Sequence, residues 1–243
     1  MCGRFVSSAS PDQIGAYFGA EVGVDDLGQN YNVAPTQDIY GVAEDRDGTR
    51  RVEAYHWGLV PSWAKDRSIG SRMINARSET LAEKNAFKGL FRKKRLLVPM
   101  AGFYEWRPGR PDGPLTAKGK PVKQPMFIHR RDGEPLAAAG LWTAWKDPEP
   151  EEASPDGTAE RWLHSATIIT TAANATLSEV HDRMPVFVPA ERWDEWLDPG
   201  NDDVDSLRSI FEPLDDGSIE MHPVSTDVNN VRNNRPDLLE PVR

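Results

Sequence analysis

The sequence predicts an α+β fold, one domain over 2–243, and three observations carry that expectation. Asp-Gly pairs at Asp47-Gly48 and Asp132-Gly133 each separate two strand-like runs, the signature of hairpin turns. The helical signals are short. The regular strand-helix-strand spacing of a doubly wound sheet is missing, and 243 residues are enough for a substantial core without staples.

Taken in order, Arg4-Phe5-Val6 reads as a short strand that anchors the amino terminus. Ser10 is the N-cap of a helix through Phe18, with Pro11 at its first position and Gln13 completing a capping box. Asn30–Pro35 is a loop, and Ile39–Ala43 with Val52–Trp57 forms a hairpin. Gly58 and Pro61 then break regular structure between Trp57 and Trp63, and a loop carries Ile74-Asn75-Ala76-Arg77. Ser78 opens a basic helix running towards Arg92. The strand Leu96–Pro99 leads into Gly102-Phe103-Tyr104-Glu105-Trp106, where alternation puts Phe103 and Glu105 on one face and Tyr104 and Trp106 on the other. A carboxylate inside an aromatic run either points to water or is buried for a purpose. Pro108–Lys120 is a loop, and Met126–Arg130 with Leu136–Trp142 reads as a second hairpin. Lys146–Glu160, rich in Pro, Ser and acids, reads as a mobile acidic insertion. Trp162–Thr170 is a strand and Ala172–Val180 a helix that delivers His181-Asp182-Arg183-Met184-Pro185. Pro189–Leu197 and Val204–Phe211 are helical, Ile219–Val224 is extended, and the tail over 226–243 is irregular.

Net charge is −9, from 29 basic and 38 acidic side chains, which as a whole argues against a nucleic-acid partner. The distribution argues otherwise. Lys65, Arg67, Arg72, Arg77, Lys84, Lys88, Arg92, Lys93, Lys94 and Arg95 face only Asp66, Glu79 and Glu83 over that stretch, a local balance of +7. A basic face on an acidic body and a merely solvated helix face explain such a run equally well. One cysteine excludes an internal disulfide and a Cys-rich zinc site, and no Cys/His cluster has ligand spacing, so no metal and no cofactor is expected. There is no apolar run of about 18 residues and no leader-like start, so a soluble, cytoplasmic monomer with no membrane contact is expected.

The single cysteine, Cys2, stands where removal of Met1 makes it the amino terminus. It then carries a thiol and an α-amine on adjacent carbons, with ordinary pKa values of about 8.5 and about 7.7 to 8.0. Together they can capture an aldehyde twice: the amine forms a Schiff base and the sulfur closes a five-membered thiazolidine. A lone cysteine is more often a small buried hydrophobe. At position 2 that is less expected, since chain ends are seldom core positions.

Five stretches stand together in order: Cys2-Gly3-Arg4-Phe5, Asn32-Val33-Ala34-Pro35, Ile74-Asn75-Ala76-Arg77-Ser78-Glu79, Gly102-Phe103-Tyr104-Glu105-Trp106 and His181-Asp182-Arg183-Met184-Pro185. In that order they resemble the SRAP ("SOS response-associated peptidase") family, proteins that crosslink to abasic sites in single-stranded DNA. The resemblance runs on to His222-Pro223-Val224-Ser225 and Val231-Arg232-Asn233-Asn234. It implies a bifurcated, partly barrel-like β core surrounded by helices, with a positive cleft across one face. It also implies that Cys2 is the nucleophile after Met1 removal, that Asn75, Glu105 and His181 surround it, and that Arg4 and Arg77 hold phosphates. The DNA-damage (SOS) context and association with the nucleoid at damaged DNA follow from the same resemblance, as does the question of whether Met1 removal is autocatalytic.

The chemistry asks for these residue types independently. An abasic deoxyribose is mostly a closed hemiacetal and needs proton transfer to open, for which an imidazole such as that of His181 is suited near neutrality. Loss of water from a carbinolamine needs an acid, and a carboxyl flanked by Phe103, Tyr104 and Trp106 would be pushed up by desolvation, so Glu105 fits. Asn75 donates and accepts without charge, and Arg4 and Arg77 offer forked donors. Asn32 joins the DNA-binding set, with Pro35, Trp57 and Trp63 to stack on or wedge between bases. The alternatives are that His181 merely caps a helix, that Glu105 belongs to a buried ion pair, and that Cys2 serves an N-terminal-cysteine amidohydrolase or peptidase or is incidental to a non-covalent single-strand binder.

Overall fold

Thirteen strands arrange in two sheets among the described residues, 2–147 and 162–242 of a computed structural model. In chain order they are β1 (Phe5–Ser7), β2 (Glu21–Val22), β3 (Asn30–Val33), β4 (Asp38–Glu44), β5 (Arg50–Trp57), β6 (Asn75–Arg77), β7 (Arg95–Met100), β8 (Gly102–Arg107), β9 (Gln124–Arg130), β10 (Leu136–Lys146), β11 (Trp162–Ala172), β12 (Arg183–Pro185) and β13 (Ile219–Pro223). The α-helices are short: α1 (Pro11–Phe18), α2 (Lys88–Lys93), α3 (Ala175–Ser178), α4 (Trp193–Leu197) and α5 (Val204–Arg208). The expected α+β class is what forms, and α1 has the expected bounds, with Ser10 and Gln13 satisfying each other's backbone in a capping box.

The first sheet is antiparallel in the order β13-β9-β8-β1-β3. The second runs β12-β11-β10-β7-β4-β5-β2, with β6 added beside β11. Because β5 also pairs in parallel with β11, at Ser165↔His56 and Ala166↔Trp57, the strands β5, β4, β7, β10 and β11 close into a ring. That closure is the barrel-like core. Its lining, with Trp57, Leu96, Val98, Ala138, Ala166 and Ile168, is continuous with Cys2, Phe5 and Phe103 from the first sheet. Outside the ring, Ile14 and Phe18 of α1 and Trp196 of α4 cover Val42, Leu97 and Ala139. The opposite face of the first sheet packs Val6, Tyr104 and Phe127 against Val224, Val228 and Leu238, so the tail, with 3₁₀ turns at Thr226–Asn229 and Pro236–Leu239, is docked on the sheet.

Gly58 leaves the barrel at φ 135°, and a Cβ there would lie 2.6 Å from the Gly70 carbonyl oxygen. This close approach seats the 3₁₀ turn Arg67–Arg72 against the end of β5 and so delivers the chain to β6, where Asn75 lies.

Three expectations are corrected. The second hairpin does not form: β9 pairs with β8 and β13, β10 pairs with β7 and β11, and the Arg131-Asp132-Gly133 turn crosses from one sheet to the other. Strand edges that the local turn signal would join are already taken by long-range partners. The basic helix from Ser78 shrinks to a 3₁₀ turn (Ser78–Thr80) and α2, because the buried Leu81, Phe87 and Phe91 do not recur at a helical period and Glu79 is drawn to Arg183. Likewise the helix over Ala172–Val180 contracts to α3, since β11 runs on to Ala172 and Asn174 caps what remains by accepting from the Leu177 N–H. Of the acidic insertion over Lys146–Glu160, all beyond residue 147 lies outside the described residues.

The basic run is divided by the fold. Its second half is taken up by the acidic segment around α4: Arg92 donates to the Asp202 carbonyl, Lys93 to the Pro199 carbonyl, and Lys94 sits 4.4 Å from the Trp142 ring centroid. Arg95 is 2 % exposed, and its guanidinium donates to the carbonyls of Phe91, Trp196, Asp198 and Asn201. Lys65, Arg67 and Arg72 are exposed in the segment that leads to Asn75, with Arg77 exposed just beyond it, and Lys84 and Lys88 are exposed farther along. Replacing Arg95 with Met leaves two buried and two partly buried carbonyls short of a donor, so it should destabilise the protein by about 3 kcal/mol in a urea titration, whereas Arg67→Met should change little. Equal stabilities for the two variants would contradict this division.

Candidate active site

Strand β1 is an interior strand, hydrogen-bonded to β3 on one side and β8 on the other. Phe5 pairs with Phe103, and the Tyr104 N–H donates to the Arg4 carbonyl at 2.9 Å. Continuing that antiparallel register sets Gly3 beside Glu105 and brings Cys2 into the core, 0 % exposed. The expectation that residue 2 is seldom buried is therefore overturned. A chain end threaded between two strands cannot fray.

Glu105 is 6 % exposed on the same face as Phe103, while Tyr104 and Trp106 share the other cluster, as the alternation of the strand requires. Asn75 comes from the barrel side. It pairs with Ile168 across β6 and β11, and its Nδ2 donates to the Cys2 carbonyl at 2.8 Å, while its buried Oδ1 has no hydrogen-bond partner among the described residues. Phe5 and Trp57 meet edge to face at 5.1 Å within the same apolar cluster as Cys2.

His181 precedes β12 and is held by the backbone of its own turn. Its Nδ1 lies 2.9 Å from the Arg183 N–H and 2.8 Å from Asp182 Oδ1. One nitrogen cannot accept from the first and donate to the second at once. The neutral ring with a lone pair on Nδ1 accepts from Arg183, and the protonated ring donates to Asp182. Both charge states have a partner, which suits a group that passes protons.

Burial pushes the Cys2 thiol up to about 12, with the negative charge of Glu105 adding to the rise and the Arg4 backbone N–H opposing it. Burial also raises the Glu105 carboxyl above the ordinary carboxylate range, against the pull of nearby positive charge that includes His181. The thiol is therefore protonated at neutral pH, and a proton acceptor with an elevated affinity stands beside it. What the site offers is a neutral thiol coupled to a carboxyl, not a preformed thiolate.

Of the sequence-predicted site residues, Cys2, Asn75, Glu105 and His181 come together. The flanking set divides. Arg77 is exposed, Trp63 is 62 % exposed, and Pro35 is half-buried beside Thr36, whose φ of 71° marks an unusual turn. Trp57 is fully buried and its Nε1 donates to the Ile74 carbonyl, so it supports the site from within and offers no face to a base. Asn32 is 1 % exposed, and its Nδ2 donates to the carbonyls of Val228, Asn230 and Asn233. It fastens the tail, and no DNA contact is open to it. Arg4 is partly committed to the same structure, its Nη1 donating to Asn32 Oδ1 at 2.7 Å and to the Val228 carbonyl at 2.8 Å. Its buried Nε has no hydrogen-bond partner among the described residues, and the guanidinium lies 5.7 Å from the Trp106 ring centroid. Sequence reasoning passed over Arg183, which forks onto Glu79 and the Thr170 carbonyl directly after His181, although it stands in the quoted motif. Among the described residues no three His, Cys, Asp or Glu side chains are grouped to hold a metal ion, and no helix is long and apolar enough to cross a membrane.

Residues 1–231 match the family model described as SOS response associated peptidase. The chain belongs to the SRAP family. It is 38% identical over 242 residues to the abasic site processing protein YoqW of Bacillus subtilis, covering 99% of each chain. It is 30% identical to the abasic site processing protein HMCES of Xenopus tropicalis, covering 98% of this chain and 78% of the relative. Among solved structures, a protein from Bacteroides thetaiotaomicron superposes over the full length of both chains with a TM-score of 0.82 at 23% identity, so the SRAP fold is shared.

The raised Glu105 carboxyl has a signed consequence for stability. Its folded pKa lies above its unfolded value, so its contribution is fully present below the unfolded pKa and lost as pH rises through the folded one. Glu105→Gln should therefore gain stability relative to the parent as pH rises from 4 to 8, measured by denaturant titration at each pH. A gain that is constant across that range, or larger at pH 4, would contradict the assigned environment.

Proposed function

We propose that this SRAP protein recognises abasic sites in single-stranded DNA and, once Met1 has been removed, captures the aldehyde of the opened deoxyribose as a thiazolidine on Cys2. The observation that carries the proposal is the convergence of Cys2, Asn75 and Glu105 from two different sheets on one buried point, with His181 near enough for its positive charge to act on the same carboxyl. The printed names of the relatives, abasic site processing proteins, support the lesion as substrate.

In this mechanism His181 passes a proton to and from the sugar ring, opening the hemiacetal to the aldehyde. The Cys2 amine adds to C1′, forming the C–N bond of a carbinolamine. Glu105, in its protonated form, gives the departing hydroxyl its proton, water leaves, and an iminium remains beside the Glu105 carboxylate. The neutral thiol then adds to the iminium carbon, its proton returning to the carboxylate and restoring protonated Glu105. One aldehyde and one aminothiol become one thiazolidine and one water. The raised thiol fits this order, with the amine reacting first and sulfur closing the ring second. Asn75 fixes the Cys2 carbonyl and keeps its Oδ1 for the new amine or a sugar hydroxyl. The buried setting of Cys2 suits a sugar that carries no base, since a base would add bulk where the core is closed.

Outside this centre, Arg77 and the uncommitted edge of Arg4 hold backbone phosphates, and the exposed Trp63 with Pro35 offers faces on which bases beside the lesion stack. The adduct shields the lesion in the cell's response to DNA damage, with the protein acting as a cytoplasmic monomer that joins the nucleoid at damaged DNA. A peptidase working through a Cys2 thiolate is disfavoured by the same elevated thiol.

Incubation with an oligonucleotide carrying one abasic site should give an adduct that survives SDS, absent for Cys2→Ala and for protein that retains Met1. Glu105→Gln should slow adduct formation by about 100-fold and slow exchange onto a competing abasic strand as well. An unchanged adduct with Cys2→Ala would overturn the assignment, and turnover of an amide substrate without DNA would point to the peptidase instead.

A further inference from the structure

Beyond Glu105 the same strand leads to a second basic surface. Strand β8 ends at Arg107, and the connection over 108–123 carries Arg110, Lys118, Lys120 and Lys123 against one acid, Asp112, which is paired with Arg110. Lys118, Lys120 and Lys123 are exposed, and none has an ion-pair partner among the described residues. With Trp106 and Asn229 they line a groove of about 570 Å³ that has no acidic side chain in its wall.

The segment that presents these lysines is built, not slack. Leu115 bridges Pro121, the Thr116 N–H donates to the Lys120 carbonyl, the Val122 N–H donates to the Pro114 carbonyl, and Gly119 takes the left-handed turn position at φ 69°. The indole that forms the opposite wall is also fixed, since Trp106 Nε1 donates to Asn229 Oδ1 at 2.7 Å and the Arg4 guanidinium rests 5.7 Å from the ring centroid. Arg4, two residues beyond Cys2, thus rests against the indole that walls the groove. The groove starts one residue past Glu105 on the other face of β8, so an occupant would be chain that flanks a reacting sugar.

We propose that this groove is a second holding arm for single-stranded nucleic acid, gripping the backbone of nucleotides that flank the residue at Cys2. The reasons are chemical. Three unpaired ammonium groups on a fixed turn are point-charge partners for phosphate, and an indole edge in a mostly apolar wall suits base faces without reading sequence. The proposal rests on the abasic-site function only for the position of the reacting residue. The arm itself binds undamaged strand.

The test uses the full chain with Lys118, Lys120 and Lys123 all replaced by Gln. Fluorescence anisotropy with an undamaged 21-nucleotide single strand should show roughly tenfold weaker binding at low salt, and a dependence of log affinity on log salt shallower by about 2, from three phosphate contacts at ~0.7 each. Adduct formation at saturating concentration with an abasic trinucleotide, too short to reach the groove, should be unchanged. Unaltered affinity and salt slope for the long strand would overturn the proposal and leave the groove to some other partner, such as an acidic protein. Equal loss on the trinucleotide would also overturn it, by placing the lysines at the reacting centre. Failure of the parent protein to form any adduct would sink the Cys2 chemistry and still leave the anisotropy comparison to decide the arm.

Discussion

An amino terminus drawn into the middle of a β-sheet is the constraint on which the rest depends. Because β1 has partners on both sides, residues 2–4 have no freedom to leave the core, and the register that pairs Phe5 with Phe103 also fixes which residue of β8 lies beside the terminus. That residue is Glu105. The same burial that hides Cys2 desolvates the carboxyl, so the thiol and the carboxyl are both pushed up towards their protonated forms. Burying a carboxyl is costly, and the surrounding apolar side chains offset it: Phe5, Phe103 and Trp57 are all fully buried in this cluster, each worth about 1.5–3 kcal/mol.

The second sheet supplies what the first cannot. Closing the barrel through β5 and β11 leaves β11 free further along to take β6 and β12, and these two short strands carry Asn75 and the turn that holds His181. The site therefore sits where an antiparallel sheet meets a ring, with one group from each side of the seam on Cys2. The C-terminal segment locks the seam from outside: the Asn32 amide and the Arg4 guanidinium both end on its carbonyls. An element far along the chain thus helps to place the first four residues.

Much of this was legible in the sequence where local chemistry decides. The capping box at Ser10, the first hairpin and the alternation that puts Glu105 beside Phe103 follow from period and turn residues alone. So did the grouping of Cys2, Asn75, Glu105 and His181, through motif order. Local signals failed where distant partners compete. The Asp132-Gly133 turn has a hairpin's residues but joins two sheets, and the basic run reads as one surface although the acidic segment near α4 claims Arg92, Lys93 and Arg95. Asn32 and Trp57 were assigned to DNA because their side chains can bind it. Only the folded structure shows that the backbone has already taken their donors.

The central claim is that amine and thiol act together on one carbon. It is tested most directly by placing ¹³C at C1′ of the abasic deoxyribose and recording the carbon spectrum of the protein-bound oligonucleotide without added reductant. The account predicts a single saturated carbon bonded to both nitrogen and sulfur, insensitive to later borohydride. An unsaturated imine carbon that borohydride reduces, or a carbon bonded to sulfur and oxygen alone, would contradict it.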